Sequence, residues 1–303
     1  MALILSIETG TDVCSVALAN DGELMALRES DEGRDHAKKV ALFVDELLRE
    51  TGVQPAELDA IAVGKGPGSY TGLRIGVSFA KGMCYALNIP LIAVGSLDAL
   101  TEVAREDYDA GILDIEDNEW ENAYLCPMVD ARRMEVYTQV FNTEGKPLSE
   151  VAAEVITPES LALWREKGKI VIFGNGAAKC TETLADAILV GVAPSARGIV
   201  RLAEEAFNAE KFEDIDAPDH DTETIHNCIF LSAPDGKQNL HRWDLPPDNP
   251  FSLVLPPPDI QPPSPHCQRV HARRYGDLGP QWPSHHPPHQ ACLRPPYSGS
   301  RNQ

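Results

Sequence analysis

The chain has 303 residues, with 46 acidic and 26 basic side chains and a formal net charge of −20. This length suffices for two domains, and an acidic surface repels phosphate backbones, so the composition argues against a chain that binds nucleic acid by itself. No apolar run approaches the roughly 18 residues of a membrane span. The apolar start lacks the basic region of a signal peptide, and the seven cysteines are scattered without a Cys-x-x-Cys pair. We therefore predict a cytoplasmic protein with reduced thiols.

The first fifty residues predict three antiparallel strands and a helix. Apolar, β-branched segments at 4–7 and 13–19 flank a short polar loop that begins with Glu8, and a turn signal at 20–22 leads into a third strand at 23–28. Residues 36–50 follow with the spacing of an amphipathic helix. Its apolar stripe consists of Ala37, Val40, Ala41, Val44, Leu47 and Leu48.

A glycine-rich loop at 64–69 connects a predicted strand at 58–63 to a predicted helix at 71–87, which precedes a strand at 91–94. The loop lacks the Gly-Lys-Ser/Thr of a P-loop, and it fails the last glycine of the dinucleotide-binding pattern. Ser69 or Thr71 can instead cap the helix that follows. The sequence thus favours a helix cap over a phosphate-binding loop.

The helix at 71–87 carries small residues four positions apart, at Gly72, Gly76 and Ala80. An interior glycine costs about 1 kcal/mol relative to alanine, so the two glycines require a packing reason. Small residues let another element approach closely. That element is either another part of this chain or a helix of a second protein, and we expect the latter.

The segment at 105–123 is rich in acidic residues and poor in apolar ones. Such a composition predicts a solvated linker or insertion. A docking site for a basic partner is the alternative.

The region that follows repeats the pattern of the first half. Strands at 126–129 and 134–141 surround a loop that begins with Asp130, followed by a helix at 158–167, a strand at 169–173 and a helix at 198–208. A carboxylate ends the first strand in both halves, Glu8 in one and Asp130 in the other. This duplication predicts an α/β fold of the actin-like or ribonuclease-H-like (ASKHA) type, in which mixed sheets flanked by helices form two lobes. We place the lobes at 1–104 and 124–216.

Residues 217–303 differ in composition from the rest, because they hold 17 of the 24 prolines and eight of the nine histidines. Proline at this density cannot sustain helix or sheet hydrogen bonding, so we predict a disordered tail. The spacing of its cysteines and histidines matches no zinc pattern. A proline-rich docking ligand is one alternative, and a shifted reading frame is the one we favour.

The segment Gly66-Pro67-Gly68-Ser69-Tyr70-Thr71-Gly72-Leu73-Arg74-Ile75-Gly76 resembles the signature of the TsaB (YeaZ) family. Residues 5–18, 91–100 and 129–137 support the resemblance in the family's order. The resemblance covers about residues 1–214, and the tail does not match.

This resemblance implies a scaffold subunit that pairs with TsaD through the helices at 36–50 and 71–87, and that TsaE then joins. TsaD carries out the N6-threonylcarbamoylation of adenosine 37 in tRNAs that read codons beginning with A, so ATP and iron or another metal belong to the partner subunits and the chain has no cofactor of its own. Contact with tRNA occurs only through the complex, and a homodimer can use the same surface. The predicted interface comprises His36, Val40, Val44, Leu47, Tyr70, Gly72, Leu73, Gly76, Phe79, Ala80 and Met83.

A catalytic member of the same fold is the alternative: an ATPase, a kinase, or a TsaD-like transferase of the class once labelled M22 glycoprotease. Residues 1–216 contain one histidine, His36, whereas the TsaD-type metal site needs a pair. Glu8 and Asp130 stand where kinases of this fold hold Mg²⁺ and nucleotide, but Ala131, Arg132 and Arg133 replace a second glycine-rich loop. We interpret both carboxylates as vestiges of a nucleotide site, and we predict a non-catalytic chain without a metal site.

Overall fold

The computed structural model describes residues 2–32 and 35–215, and the predictions for the tail at 217–303 lie outside this part. It shows an α/β fold in which two five-stranded mixed sheets are flanked by helices. No helix in the described ranges is long and apolar enough to cross a membrane. The four cysteines within these ranges are free and buried: Cys14, Cys84, Cys126 and Cys180.

The first sheet has the strand order β3-β2-β1-β4-β5. Its strands are β1 (Leu3–Glu8), β2 (Cys14–Asn20), β3 (Glu23–Ser30), β4 (Ala60–Gly64) and β5 (Leu91–Val94). β1 pairs antiparallel with β2 and parallel with β4. Helices α1 (His36–Thr51) and α2 (Tyr70–Leu87) supply apolar side chains to a core that also contains side chains of β1, β2 and β4.

The second sheet has the order β10-β9-β6-β7-β8, with β6 in the place of β1. Its strands are β6 (Ala123–Asp130), β7 (Glu135–Thr138), β8 (Ala152–Val155), β9 (Lys169–Phe173) and β10 (Ile188–Leu189). Short helices α4 (Asp117–Trp120) and α5 (Ala162–Arg165) accompany it. Since β6 again pairs antiparallel with the next strand and parallel with β9, the predicted duplication is confirmed.

Two longer helices cross between the halves. α3 (Ser96–Asp109) follows the first sheet along the chain, yet Leu97, Leu100 and Val103 lie in the core of the second. α6 (Arg197–Asn208) follows the second sheet, yet Ile199 and Ala203 lie in a core with side chains of β1, β4 and β5. This exchange ties both lobes together.

Ion pairs connect α3 and α6. The Arg197 guanidinium donates to the carboxylates of Glu106 and Asp107, both at 2.7 Å. Arg201 donates to Glu102, whose side chain is buried, at 2.8 Å. Several acidic residues whose sequence context predicts a solvated surface are therefore paired with arginines between α3 and α6.

The structure corrects the predicted boundary at residue 104 and the linker at 105–123. α3 continues to Asp109, and Asp107 is buried because it pairs with Arg197. Further along, the buried indole of Trp120 stacks on Tyr108 with ring centroids 4.3 Å apart. Part of this segment is thus packed against the second lobe.

The second half departs from the predicted elements in detail. β8 and β10 were not predicted, because each is short and only partly buried. The helix expected at 158–167 shrinks to α5, since Leu161 adopts a left-handed conformation with φ of 60° at its start. The strand expected at 134–141 ends at Thr138, although Phe141 still forms a bridge with Leu125.

Candidate partner interface

The glycine-rich loop at 64–69, which leads into α2, is held in place by backbone hydrogen bonds, one of them to the β1–β2 loop. The backbone N–H of Ser69 donates to the carbonyl of Gly10 at 2.6 Å, and the Ser69 hydroxyl accepts from the Gly72 N–H at 3.3 Å. The N–H of Lys65 donates to the carbonyl of Val94 at 2.7 Å. Ser69 therefore caps α2 as predicted, and loop N–H groups that a phosphate would need are used inside the chain.

The ridge of small residues on α2 faces inward, which corrects the expectation that it receives a helix of another protein. A Cβ at Gly72 would lie 2.0 Å from the carbonyl oxygen of Thr9, and a Cβ at Gly76 would lie 2.3 Å from the Thr9 hydroxyl. That hydroxyl donates to the carbonyl of Gly72 at 2.9 Å. Ala80 is fully buried. The glycines exist because the β1–β2 loop occupies the space of their side chains.

Most of the other predicted interface residues also point into the lobe. His36, Val40, Val44, Leu47 and Leu73 are buried. The His36 Nε2 lies 2.8 Å from the carbonyl oxygen of Thr11, so this histidine holds the β1–β2 loop against α1. Four members of the predicted α1 stripe, Val40, Val44, Leu47 and Leu48, face the core. The other two, Ala37 and Ala41, are exposed.

Glu8 is buried at the end of β1, away from solvent. Its carboxylate accepts from the Gly10 N–H at 2.6 Å and from the Ser96 hydroxyl at 3.1 Å. Burial raises its pKa, although these hydrogen bonds oppose the rise. A Cβ at Gly64 would overlap this carboxylate, so Gly64 is required by Glu8. The carboxylate thus organises three segments of the first lobe.

Asp130 occupies a different environment, at the rim of a cleft of about 520 Å³ between the β1–β2 loop, the start of α2 and the end of β6. Its carboxylate forms an ion pair with Lys179 and accepts from the Arg132 N–H at 3.2 Å. Glu8 is not among the residues that line this cleft in the described part of the chain. The two carboxylates therefore lie in different surroundings, because Glu8 is buried against Gly10 and Ser96 while Asp130 pairs with Lys179 at the rim of the cleft.

The outward surface of the first lobe carries a groove between α1 and α2. We define this α1–α2 groove, of about 600 Å³, by its lining residues, which are Ala37, Tyr70, Thr71, Arg74, Ile75, Ser78 and Phe79. Tyr70 is 47 % exposed, and Arg74 donates to its hydroxyl at 3.0 Å while lying over the ring. Of the predicted interface residues, Tyr70 and Phe79 lie here, and Met83 is only partly buried against the core.

Gly82 continues this face one turn beyond Ser78. It lies inside α2 and is exposed. A Cβ at Gly82 would meet no atom within 4 Å among the residues that the structure describes. Unlike Gly72 and Gly76, this glycine has no packing reason within the described chain.

Comparison with known proteins gives a consistent result. A family model described as TsaD, tRNA N6-adenosine threonylcarbamoyltransferase, matches residues 30–208. The tRNA threonylcarbamoyladenosine biosynthesis protein TsaB of Bacillus subtilis is 32 % identical over 172 residues, which is 56 % of this chain and 69 % of that protein. TsaB of Escherichia coli is 30 % identical over 177 residues, covering 57 % and 71 %. The chain belongs to the TsaB (YeaZ) family.

Other matches fit this assignment. TsaB of Haemophilus influenzae is 35 % identical over 134 residues, and this match spans about half of that protein's length, 51 %. A TsaD-named protein of Thermus thermophilus is 36 % identical over 110 residues but covers 31 % of this chain. The structure of YeaZ from Pseudomonas aeruginosa superposes with a TM-score of 0.58 at 27 % identity, covering 72 % of this chain and 97 % of YeaZ.

Several outer-surface residues of α1 and α2 are absent from the predicted interface, namely Leu42, Thr71, Arg74, Ile75, Ser78, Gly82 and Tyr85, and Ala37 is exposed although its spacing placed it on the apolar stripe. Leu42 is 45 % and Tyr85 77 % exposed. A usable signal existed, because these residues are what remains on each helix once the core stripe is assigned. Gly82 stood in the sequence as a third helical glycine that does not share the ridge of the other two.

Proposed function

We propose that this chain is a non-catalytic TsaB subunit of the cytoplasmic pathway that makes threonylcarbamoyladenosine on tRNA. It pairs with TsaD through the α1–α2 groove and the adjoining face of α2, and TsaE joins the pair. TsaD performs the transfer to adenosine 37, and ATP and metal are held by the partner subunits. The observation that carries the proposal is Gly82, an exposed helical glycine beside an apolar groove in a TsaB-family chain.

Close approach by a partner helix explains the composition of this face. The outer surface of α2 combines small residues, Ser78 and Gly82, with aromatic ones, Tyr70 and Tyr85. Small residues let two helix backbones approach, while tyrosine and arginine dominate the energetics of protein interfaces. The charge of the chain, −20, makes direct capture of tRNA unfavourable, which supports a role through a partner.

The carboxylates support the non-catalytic role. A nucleotide-dependent enzyme of this fold needs acidic groups free to hold Mg²⁺. Here Glu8 is buried and accepts hydrogen bonds from Gly10 and Ser96, and Asp130 is paired with Lys179. Both groups have structural tasks.

The test is Ser78→Arg, compared with Ala185→Arg as a matched control. Both positions are exposed and both changes add the same side chain, but Ala185 lies in the second lobe. Each variant is co-expressed with tagged TsaD, and the recovered complex and its threonylcarbamoylation of tRNA are measured. We expect Ser78→Arg to reduce recovery at least tenfold with an unchanged melting temperature, and Ala185→Arg to behave as wild type.

Three outcomes decide against the proposal. Normal recovery of Ser78→Arg with TsaD refutes the α1–α2 groove as the interface. Equal loss in both variants shows a general charge effect. If the wild-type chain is a dimer that Ser78→Arg dissociates while TsaD binding persists, the face belongs to a second copy of this chain instead.

A further inference from the structure

The arginines of this chain differ in their partners. Six of the nine arginines in residues 2–32 and 35–215 form ion pairs with carboxylates of the same chain: Arg28, Arg49, Arg105, Arg165, Arg197 and Arg201. Within the same residues, Arg74, Arg132 and Arg133 have no carboxylate partner. Since acidic side chains outnumber basic ones by 46 to 26, an arginine without a carboxylate is the exception in this chain. These three guanidinium groups can therefore pair with carboxylates of a second molecule.

The three arginines lie along one surface of the molecule. Arg74 lines the α1–α2 groove, and Arg132 lines the cleft of about 520 Å³ at the end of β6. Tyr70 and Thr71 line both, so the groove and the cleft are continuous across the start of α2. Arg133 follows Arg132 in the turn between β6 and β7 and is exposed. We name the stretch from Arg74 across Tyr70 to Arg132 and Arg133 the arginine surface, and it joins the first lobe to the second.

The backbone of the β6–β7 turn shows that its arginines are not there for the shape of the turn. Arg132 has a φ of 76° and Arg133 a φ of 49°, in the left-handed region that glycine adopts without a steric cost. Backbone hydrogen bonds hold the turn, because the Ala131 N–H donates to the carbonyl of Glu135 at 3.1 Å and the Glu135 N–H donates to the carbonyl of Arg132 at 3.0 Å. Glycine would make the same bonds with less strain. Unfavourable backbone of this kind is typical of functional positions, so the two side chains require a task of their own.

The neighbours of these arginines favour a protein partner over a nucleic acid. Tyr70 is 47 % exposed, and Met134, which follows Arg133, is 39 % exposed. Arginine, tyrosine and methionine are enriched in protein interfaces. The cleft is also lined by Asp12, an exposed carboxylate that repels a phosphate backbone. A protein can place carboxylates against the arginines alone, whereas a nucleic acid carries a charge at every nucleotide.

We propose that the arginine surface pairs with carboxylates of the protein that occupies the α1–α2 groove, so that this partner contacts both lobes. The inference rests on the proposed function, in which the partner is TsaD, and it adds an acidic patch on that partner and a contact with the second lobe. Tyr70 holds the Arg74 guanidinium through a hydrogen bond of 3.0 Å to its hydroxyl, and the turn fixes the backbone of Arg132. Complementary charges at fixed positions orient two proteins and speed their association.

The test is calorimetric titration of the full chain with TsaD in about 0.1 M and about 1 M NaCl, between which the Debye length falls from about 10 Å to about 3 Å. The variants are Arg132→Glu and Arg132→Gly. The control is Lys146→Glu, which makes the same change of charge at an exposed position that lines neither the groove nor the cleft. We expect Arg132→Glu to bind about tenfold more weakly than wild type in the lower salt and to differ less from it in the higher salt. Arg132→Gly should also bind more weakly, yet melt no lower than wild type, because glycine suits a φ of 76°. Lys146→Glu should match wild type.

The outcomes separate this inference from the proposed function. Wild-type affinity of both Arg132 variants, with weak binding of Ser78→Arg, overturns the arginine surface and leaves the α1–α2 groove as the interface. Wild-type affinity of Ser78→Arg as well overturns both. An equal loss in Lys146→Glu shows a general effect of charge, and a lower melting temperature of Arg132→Gly shows that the guanidinium serves its own chain, so either result also overturns the inference. If Arg132→Glu binds TsaD normally but the assembled complex retains less tRNA in filter binding, the arginines contact phosphates of the RNA instead.

Discussion

Replacement of Gly82 by alanine should make the isolated chain more stable. Gly82 lies in the interior of α2, which spans Tyr70–Leu87, and an added Cβ meets no described atom within 4 Å. Glycine costs a helix interior about 0.8–1.0 kcal/mol relative to alanine. With no steric penalty to offset this gain, the free energy of unfolding should rise by about 1 kcal/mol, which is roughly 2–4 °C in melting temperature for a domain of this size. Urea denaturation of the purified chain measures it.

The same substitution should weaken the complex, although it stabilises the isolated chain. If the partner helix approaches closely at Gly82, alanine weakens TsaD binding and leucine weakens it further, at least tenfold, or about 1.4 kcal/mol. Calorimetric titration with TsaD provides the affinities. A stabilised Gly82→Ala chain that binds TsaD with wild-type affinity, joined by a Gly82→Leu chain that does so too, would refute the reasoning. So would a loss of stability in Gly82→Ala, because a hidden intramolecular contact would then explain the glycine.

Two further changes probe the interior. Gly76→Ala should lower the free energy of unfolding by about 1–3 kcal/mol, since the new Cβ would lie 2.3 Å from the Thr9 hydroxyl; urea denaturation checks this, and a stabilised variant would contradict the inward ridge. Burial raises the pKa of Glu102, but hydrogen bonds from Arg201 and Arg105 outweigh it and hold that pKa below its ordinary value of 4.5. The resulting stability is present above pH 4.5 and is lost as the pH falls through the lowered pKa. Glu102→Gln should therefore lower the free energy of unfolding by about 1–3 kcal/mol at pH 7 and by progressively less towards pH 3, as measured by melting curves. A loss that stays constant with pH would exclude the charge of Glu102 as its cause.

The sequence was sufficient to predict the strands and helices whose residues carry a strong local pattern. β1 to β3 follow from alternating β-branched segments and the turn at Asn20-Asp21-Gly22, and α1 begins at His36 as predicted. The carboxylates at the ends of β1 and β6 marked the duplication correctly. Patterns of this kind are local, so a single sequence is enough to show them.

Other features depend on partners distant in sequence, which a single chain pattern does not reveal. α3 and α6 are joined by ion pairs in which Asp107 and Glu102 bind arginines 90 and 99 residues away along the chain. Read locally, such carboxylates indicate a solvated segment. The prediction that the glycine ridge faces a partner was wrong for the same reason. The spacing shows that Gly72 and Gly76 share a face of the helix, but it does not show that Thr9 covers this face.

The glycines of α2 lie on two different faces of the helix. Gly76 and Gly82 are six positions apart, and at about 100° per residue they lie roughly 120° apart around the helix, so one neighbour cannot explain both. The inner pair lets Thr9 and Gly10 lock the start of α2, which fixes the orientation of its outer face before any partner arrives. Preorganisation of this kind reduces the entropy lost on binding. A substitution at Gly76 should therefore weaken partner binding through the position of α2, even though Gly76 is buried beside Thr9 and Val63.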